Sequence, residues 1–432
     1  MAIGSDIPSR IWSNSEKPAS SSADGITHMD REALRGIRIA DFSWVWSGPL
    51  ATLLLSFLGA EVIKIESRKR LDQTRQGTIT TGDSFSNFNA SPTFNNANLN
   101  KKSVTIDLSR PEGAELAKRI VAASDLVVEN MRPGVMDKLG LGYKDLVKVK
   151  PDIVMVSVSG FGSSGPYREY AGFAPIFAAF GGLAYLTGYE DGEPNTMSGV
   201  MDLRVGTASA FAILAALIHK QKTGEGQYID LSASECVSSL VGAELMEYSM
   251  NGRSPFRRGN EDSIMAPHNC YRCKGEDKWV SIAVATDEEW KALRQVMGDP
   301  AWCKEEAFST VYGRWKKQAE LDKHIAAWTI NYTHYEVMTL LQNAGVAAMP
   351  SFNAEEMLSD PHIKARGVIN EVEHPVMGKK VVLSPSWKLS ETPAKIKRAS
   401  PLLGEHKDEI FGGLLGMSKE DIEKLEDEKV IY

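Results

Sequence analysis

From position 37 onward, apolar residues fall into short runs punctuated by glycine and proline, and the runs alternate between two periods. Residues 37–42 read as a strand. Gly48-Pro49 turns the chain into a helix over 50–58, Gly59 stops it, and residues 61–66 form the next strand. The unit recurs: 103–108 is extended, 111–123 helical, 125–130 a strand, and 153–161 another apolar run ending in glycine. Strands alternating with helices predict a mainly parallel, doubly wound α/β sheet. Gly160, Gly162, Gly165 and Pro166 then break the chain, and a turn over 189–194 precedes a long helix with Asp202 at its head. Beyond Asn251 the texture changes. A hairpin over 269–284 pivots on Gly275-Glu276-Asp277, and helices bearing Trp290, Trp302, Trp315 and Trp328 follow, which predicts a second, smaller domain. Short strands return from about Gly345, and the chain ends in an acidic helix near 419–428.

Composition narrows the class. The 432 residues, 43% hydrophobic and 24% charged, suit a soluble globular chain of two or three domains. With 49 basic and 56 acidic residues, a net charge of −7 and no long run of one sign, nucleic acid is not the expected partner. The apolar run over 208–218 falls short of the ~20 residues that span a bilayer, and no signal peptide precedes the fold, so no membrane association and a cytoplasmic location are expected. Four cysteines suit a reducing compartment. Cys270 and Cys273 form a Cys-x-x-Cys beside His268, but Cys303 and His324 do not make a second pair, so thiols packed in a hairpin are expected rather than zinc.

Three features carry chemistry. The loop Ser43-Trp44-Val45-Trp46-Ser47-Gly48-Pro49 joins a strand to a helix N-terminus, where backbone amides favour an anion; it is not Gly-x-Gly-x-x-Gly, so a nicotinamide or flavin is not indicated. Basic residues gather at Lys64, Arg68, Lys69, Arg70, Arg75, Lys101, Lys102 and Arg132, in loops or strand ends of the expected sheet. Asp202 suits two roles, a helix cap or a covalent nucleophile kept ionised by the positive helix end, and spacing alone leaves both open. No histidine lies between His28 and His219, and no Gly-x-Ser-x-Gly elbow is present. Acid–base chemistry near Asp202 therefore falls to carboxylates, water or substrate.

Taken in order, several strings resemble family III CoA-transferases from about Gly36 onward. They include Asp41-Phe42-Ser43-Trp44-Val45, Gly59-Ala60-Glu61-Val62-Ile63-Lys64-Ile65-Glu66, Asn100-Lys101-Lys102-Ser103, Val128-Glu129-Asn130-Met131-Arg132-Pro133-Gly134 and Ser159-Gly160-Phe161-Gly162. Thr223-Gly224-Glu225-Gly226-Gln227, Pro267-His268, Asp360-Pro361-His362 and Pro401-Leu402-Leu403-Gly404-Glu405 follow. The polar, Ser-rich start predicts an extension over 1–33, and the resemblance implies a large Rossmann-like domain begun by 34–250, a smaller α+β domain over 251–345, and a C-terminal part, 346–432, that returns to the large domain. It also implies two chains threaded as interlocked rings, either a homodimer or a heteromer with a homologous subunit. By motif position it makes Asp202 the nucleophile that forms an acyl anhydride and then a CoA thioester. CoA is implied to lie along Val45, Trp46 and Ser47, Ala97 and Lys101, and Asn130, Met131 and Lys138. Arg75 would share that wall, and Arg68 would replace the cation absent at Ser67. No metal or permanently bound cofactor is implied, only a CoA thioester and an organic acid as substrates.

Where formyl-CoA transferase closes a glycine run over its site, this chain has Arg257-Arg258-Gly259-Asn260. A racemase of the same scaffold needs a histidine where Phe173 stands, and a non-catalytic partner subunit would not need Asp202. The texture looks most like the aryl- and dicarboxylic-acid branch, with succinyl-CoA as donor and benzylsuccinate as an acceptor; Arg204, Arg253, Arg257 or Arg258 would pair its second carboxylate.

Overall fold

A computed structural model describes residues 31–76, 87–197 and 199–432; the expected extension falls, up to residue 30, outside the described residues. Six strands form one sheet: β1 (Arg38–Asp41), β2 (Glu61–Glu66), β3 (Lys102–Thr105), β4 (Leu126–Glu129), β5 (Val154–Ser159) and β6 (Tyr228–Ser232). Their order is β3-β2-β1-β4-β5-β6, and every pairing is parallel. The expected doubly wound sheet is therefore present. β4 and β5 are buried along their whole length, as parallel strands covered on both faces must be. The chain walks outward from β1 to β3 and then crosses back to β4. That reversal opens a crevice beyond the carboxyl ends of β1 and β4, the place where open α/β sheets bind ligands.

Alternating side chains send two cores to opposite faces. Ile39, Val62, Leu126, Val154 and Val156 point to one face, where α1 (Ser47–Phe57) lies. On the other, Ala40, Ile63, Val127 and Met155 meet α2 (Pro111–Ala122), together with Ile410, Phe411, Ile422, Val430 and Ile431 from the C-terminal segment. A long helix, α3 (Val200–Thr223), packs with α1 and buries Met201, Val205, Gly206 and Ile213. Gly206 sets the separation. A Cβ there would stand 2.8 and 2.9 Å from Leu50 side-chain atoms and 2.9 Å from the Ser47 carbonyl oxygen, so the helices meet backbone to backbone.

The strand β7 (His268–Arg272) begins a three-stranded antiparallel sheet with β8 (Trp279–Ala283) and β9 (Ala347–Pro350). Capping boxes at Thr286/Glu289 and Thr333/Glu336 start two of the helices that cover it, around a separate core that includes Trp290, Phe308 and Leu341. β9 follows Gly345 yet pairs with β8, so residues 347–350 stay with this sheet rather than joining the returning segment. The hairpin β10 (Ile369–His374) and β11 (Gly378–Leu383) instead packs Val372 and Val382 near Leu53 and Phe57 of α1. Cys270 and Cys273, three apart on extended chain, face opposite ways: Cys273 is buried in the small core while Cys270 lies 3.9 Å from Ser351 Oγ.

By length and apolarity alone α3, 24 residues long, would span a bilayer, yet its buried stripe belongs to the core of the large sheet. Its other face is not covered. Phe211 is 77% exposed, and the helix α4 (Gly242–Asn251) buries none of its residues while presenting Leu245, Met246, Tyr248 and Met250.

Candidate active site

The loop after β1 turns sharply because Val45 adopts φ +66°. A left-handed conformation costs a residue with a Cβ about 1–2 kcal/mol, and a β-branched one suffers most. Side chains on both flanks hold it. Asn130, just past β4, accepts from the Trp44 N–H at 2.9 Å and donates to the Trp44 carbonyl at 2.8 Å. Asp72 accepts from the Val45 N–H at 3.1 and 3.2 Å. Beyond the kink, Trp46 occupies the N-cap position of α1 without a capping side chain, and the amides of Trp46, Ser47 and Gly48 meet no acceptor among the described residues. Three free amides at a helix N-terminus form an anion-binding surface.

Asp202 is on α3, the helix whose Gly206 meets the start of α1. It is not the cap expected from its spacing: Gly199, at φ +88°, holds the N-cap position, three residues before Asp202. Asp202 is thus in the first turn, still within the favourable field of the helix end. It shares a helix face with Gly206, one turn on, the residue that meets the Ser47 carbonyl. Its carboxylate is half-buried and has no hydrogen-bond or ion-pair partner among the described residues. Burial pushes its pKa up to about 6. An acid poised there is mostly ionised at pH 7 but poorly solvated, the condition of a reactive carboxylate.

The cations divide into two sets. Arg75 and Lys101, both expected along a CoA wall, are fully buried together with Lys64. Arg75 grips Glu66 through Nε at 2.7 Å and Nη2 at 2.8 Å, and its guanidinium stacks 3.5 Å from the Phe94 ring centre. Lys101 Nζ lies 3.2 Å from Asp41 Oδ2 and donates to the Pro49 carbonyl at 2.9 Å. Ala97, 1% exposed at the end of the Pro92–Ala97 helix, is equally out of reach. These residues support the crevice from beneath. Arg68 and Lys138 are exposed, as is Arg70, whose guanidinium lies 4.3 Å over the Trp44 ring. Arg70 was not among the expected contacts; its presence beside a basic loop was the only signal for it.

Asn130 and Met131 follow β4, where the Asn130 amide is spent on Trp44 and the Met131 N–H donates to Glu129 at 2.7 Å. Burial pushes Glu129 up to about 7, against hydrogen bonds from Ser157 and Met131 that favour its charged form. Val45, Trp46 and Ser47 at the start of α1 and Asp202 in the first turn of α3 thus belong to the two helices that meet at Gly206, while Arg68 and Lys138 are exposed. Of the arginines expected near an acceptor, Arg257 is stacked 4.2 Å over Phe256 and donates to the Tyr185 carbonyl, and Arg253 pairs with Glu247 at 2.8 Å. Arg204 contacts Ser239 at 3.2 Å and stays exposed. A cavity of about 490 Å³ opens on the small sheet beside Asn260, His268 and Cys270. No residue of the β1 loop lines it, nor does Asp202, so the switch-point crevice remains the stronger site on chemistry.

Comparison with known proteins places these features in context. Residues 34–407 match the model of CoA-transferase family III. The chain is 36% identical over 406 residues to succinyl-CoA–D-citramalate CoA-transferase of Chloroflexus aurantiacus, covering 92% of this chain and 98% of that one. It is 35% identical to the beta subunit of succinyl-CoA–L-malate CoA-transferase from the same organism, again covering 92% and 98%. The crystal structure of a CAIB/BAIF family protein from Brucella suis superposes with a TM-score of 0.81 at 31% identity, covering 89% of this chain and 99% of that chain.

Proposed function

The chain belongs to CoA-transferase family III, and from that premise we propose that it moves CoA from succinyl-CoA to a second dicarboxylic acid through covalent intermediates on Asp202. The carrying observation is the Asp202 carboxylate itself: half-buried, unpaired among the described residues, and one helical turn from the contact with the β1 loop. An Asp202 oxygen attacks the thioester carbonyl carbon, the C–S bond breaks, and the thiolate leaves an aspartyl–succinyl anhydride. The thiolate returns to the aspartyl carbonyl, releasing succinate and leaving an aspartyl-CoA thioester. The acceptor carboxylate attacks that thioester to form a second anhydride and free thiolate. Attack of the thiolate on the acceptor's acyl carbon releases the new CoA ester and restores Asp202. Each step exchanges a carboxylate and a thiolate, so no net proton is transferred and no histidine is needed. The amides of Trp46, Ser47 and Gly48 are donors for oxyanions that form beside them.

The donor and acceptor classes follow the relatives, whose names give succinyl-CoA with D-citramalate or L-malate. Arg204, two residues past Asp202 and exposed, is our candidate for the acceptor's second carboxylate; benzylsuccinate is a bulkier member of the same class. A racemase is not favoured, because the exposed Phe173 supplies no base.

Succinyl-CoA incubated with the protein and hydroxylamine is expected to leave a hydroxamate on Asp202, located by peptide mass spectrometry. Labelling elsewhere, or no exchange with citramalate, malate or benzylsuccinate, would sink the mechanism.

The uncovered apolar faces of α3 and α4 support burial against a second chain, and we assign the partner as a copy threaded in interlocked rings. A homologous subunit would meet the same need. Light scattering of the purified chain is expected to give twice 47.4 kDa; a stable monomer at micromolar concentration rules the homodimer out.

A further inference from the structure

The conformation of Val45 has a specific support. Asp72, 5% exposed, receives the Val45 N–H on both oxygens and is itself fixed by the Thr74 N–H at 2.9 Å and the Thr74 hydroxyl at 2.7 Å. Lys64, 1% exposed, stands 3.4 Å from Asp72 Oδ2 and donates to the Ser43 carbonyl at 2.7 Å. One buried ammonium therefore grips both the chain before the kink and the carboxylate that holds the kink. Without the Asp72 oxygens, the Val45 N–H would lose its acceptor in a conformation that valine disfavours. The residues that follow immediately are Trp46, Ser47 and Gly48, whose amides form the free donor surface.

We infer that Asp72, oriented by Lys64, is a positioning residue that keeps Val45 left-handed and thereby presents the Trp46–Gly48 amides to the CoA ester. Its effect on binding rests on the CoA-transferase reading of the crevice; its effect on the loop does not. Asp72 touches no substrate in this arrangement and acts through Val45.

The test compares Asp72→Ala in two backgrounds, the natural chain and Val45→Gly, where glycine accepts φ +66° without steric cost. CoA affinity by calorimetry and kcat/KM for succinyl-CoA are each expected to fall about tenfold in the natural background, equivalent to about 1.4 kcal/mol. In the Val45→Gly background the same substitution is expected to cost less than threefold. Asp72→Asn, which keeps one acceptor oxygen, is expected to fall between, and guards against simple misfolding of the alanine variant. Hydrogen exchange of the peptide spanning 43–48 is expected to accelerate in Asp72→Ala.

Equal losses in both backgrounds would mean a general structural role, and unchanged affinity with unchanged amide exchange would remove the role altogether; either overturns the inference. If the natural chain binds no CoA, the crevice reading fails by itself, and the amide-exchange comparison still decides whether Asp72 holds the loop.

Discussion

Asparagine in place of Asp202 is expected to abolish CoA exchange and, at neutral pH, to make the protein more stable. An amide cannot open the thioester, so the rate should fall at least about a thousandfold, as losses of covalent nucleophiles do. The stability gain follows from burial. A carboxyl raised from 3.8 to about 6 in the folded chain binds its proton more tightly there than in the unfolded chain. That contribution to stability is fully present below pH ~4 and is lost as pH rises through about 6, so ionised Asp202 is a standing cost at pH 7. Two pH units correspond to about 3 kcal/mol, which partial solvation reduces to about 1–2. Asparagine removes the cost, less about 0.3–1 kcal/mol of favourable helix-end interaction. Urea melts of both proteins should coincide near pH 4 and diverge by pH 7, while wild-type kcat/KM should drop below pH 6. Coincident melts at both pH values would show that Asp202 carries no burial penalty.

Removing the Lys101 ammonium is expected to be among the most destabilising changes around the six-stranded sheet. Lys101 and Asp41 are both fully buried. Burial alone would push Asp41 up, but Lys101 and then Lys64, with hydrogen bonds from Ser43 and Thr52, hold it below the usual carboxylate range. Lys101→Met leaves that carboxylate with only Lys64 as a nearby cation, and also frees the Pro49 carbonyl at the start of α1. Breaking a buried pair this way costs about 3–5 kcal/mol. The double variant Lys101→Met, Asp41→Asn should recover part of the loss, because the amide needs no counter-charge. Chemical denaturation reads both, and a loss below about 1 kcal/mol for the single variant would contradict the pairing.

The sheet was legible because its strands are apolar runs set off by glycines, Gly59 ending the helix before β2 and Gly160 following β5, and β2 falls on its expected span of Glu61–Glu66. The burial of the cations was not read. Lys64 sits inside Val62-Ile63-Lys64-Ile65, a run that a doubly covered parallel strand requires, so its burial was foreseeable from that context. Arg75 and Lys101 gave no such sign, since the carboxylates that neutralise them, Glu66 and Asp41, come from separate strands. Gly206 gave no sign of the close approach it makes, because its partners Ser47 and Leu50 lie on α1, far away in sequence. The Asp202 helix start moved because glycine at φ +88° ended the preceding turn, and nothing in the local spacing distinguishes Gly199 from an ordinary linker. Val45 carries no sequence signal for a left-handed residue at all. Its conformation is imposed by Asp72 and Asn130, which no periodicity links to it.

One face of the large sheet is closed by Ile410, Phe411, Ile422, Val430 and Ile431, far along the chain from the strands they cover. Contacts of such long span carry a large loop-closure cost and favour slow folding. Ala40, Ile63, Val127 and Met155 thus depend for much of their shelter on a segment that arrives after the whole small sheet has been made. During synthesis this gives the protein an interval in which that face is covered by α2 and its neighbours alone, and chaperone dependence would be set there rather than at the active site.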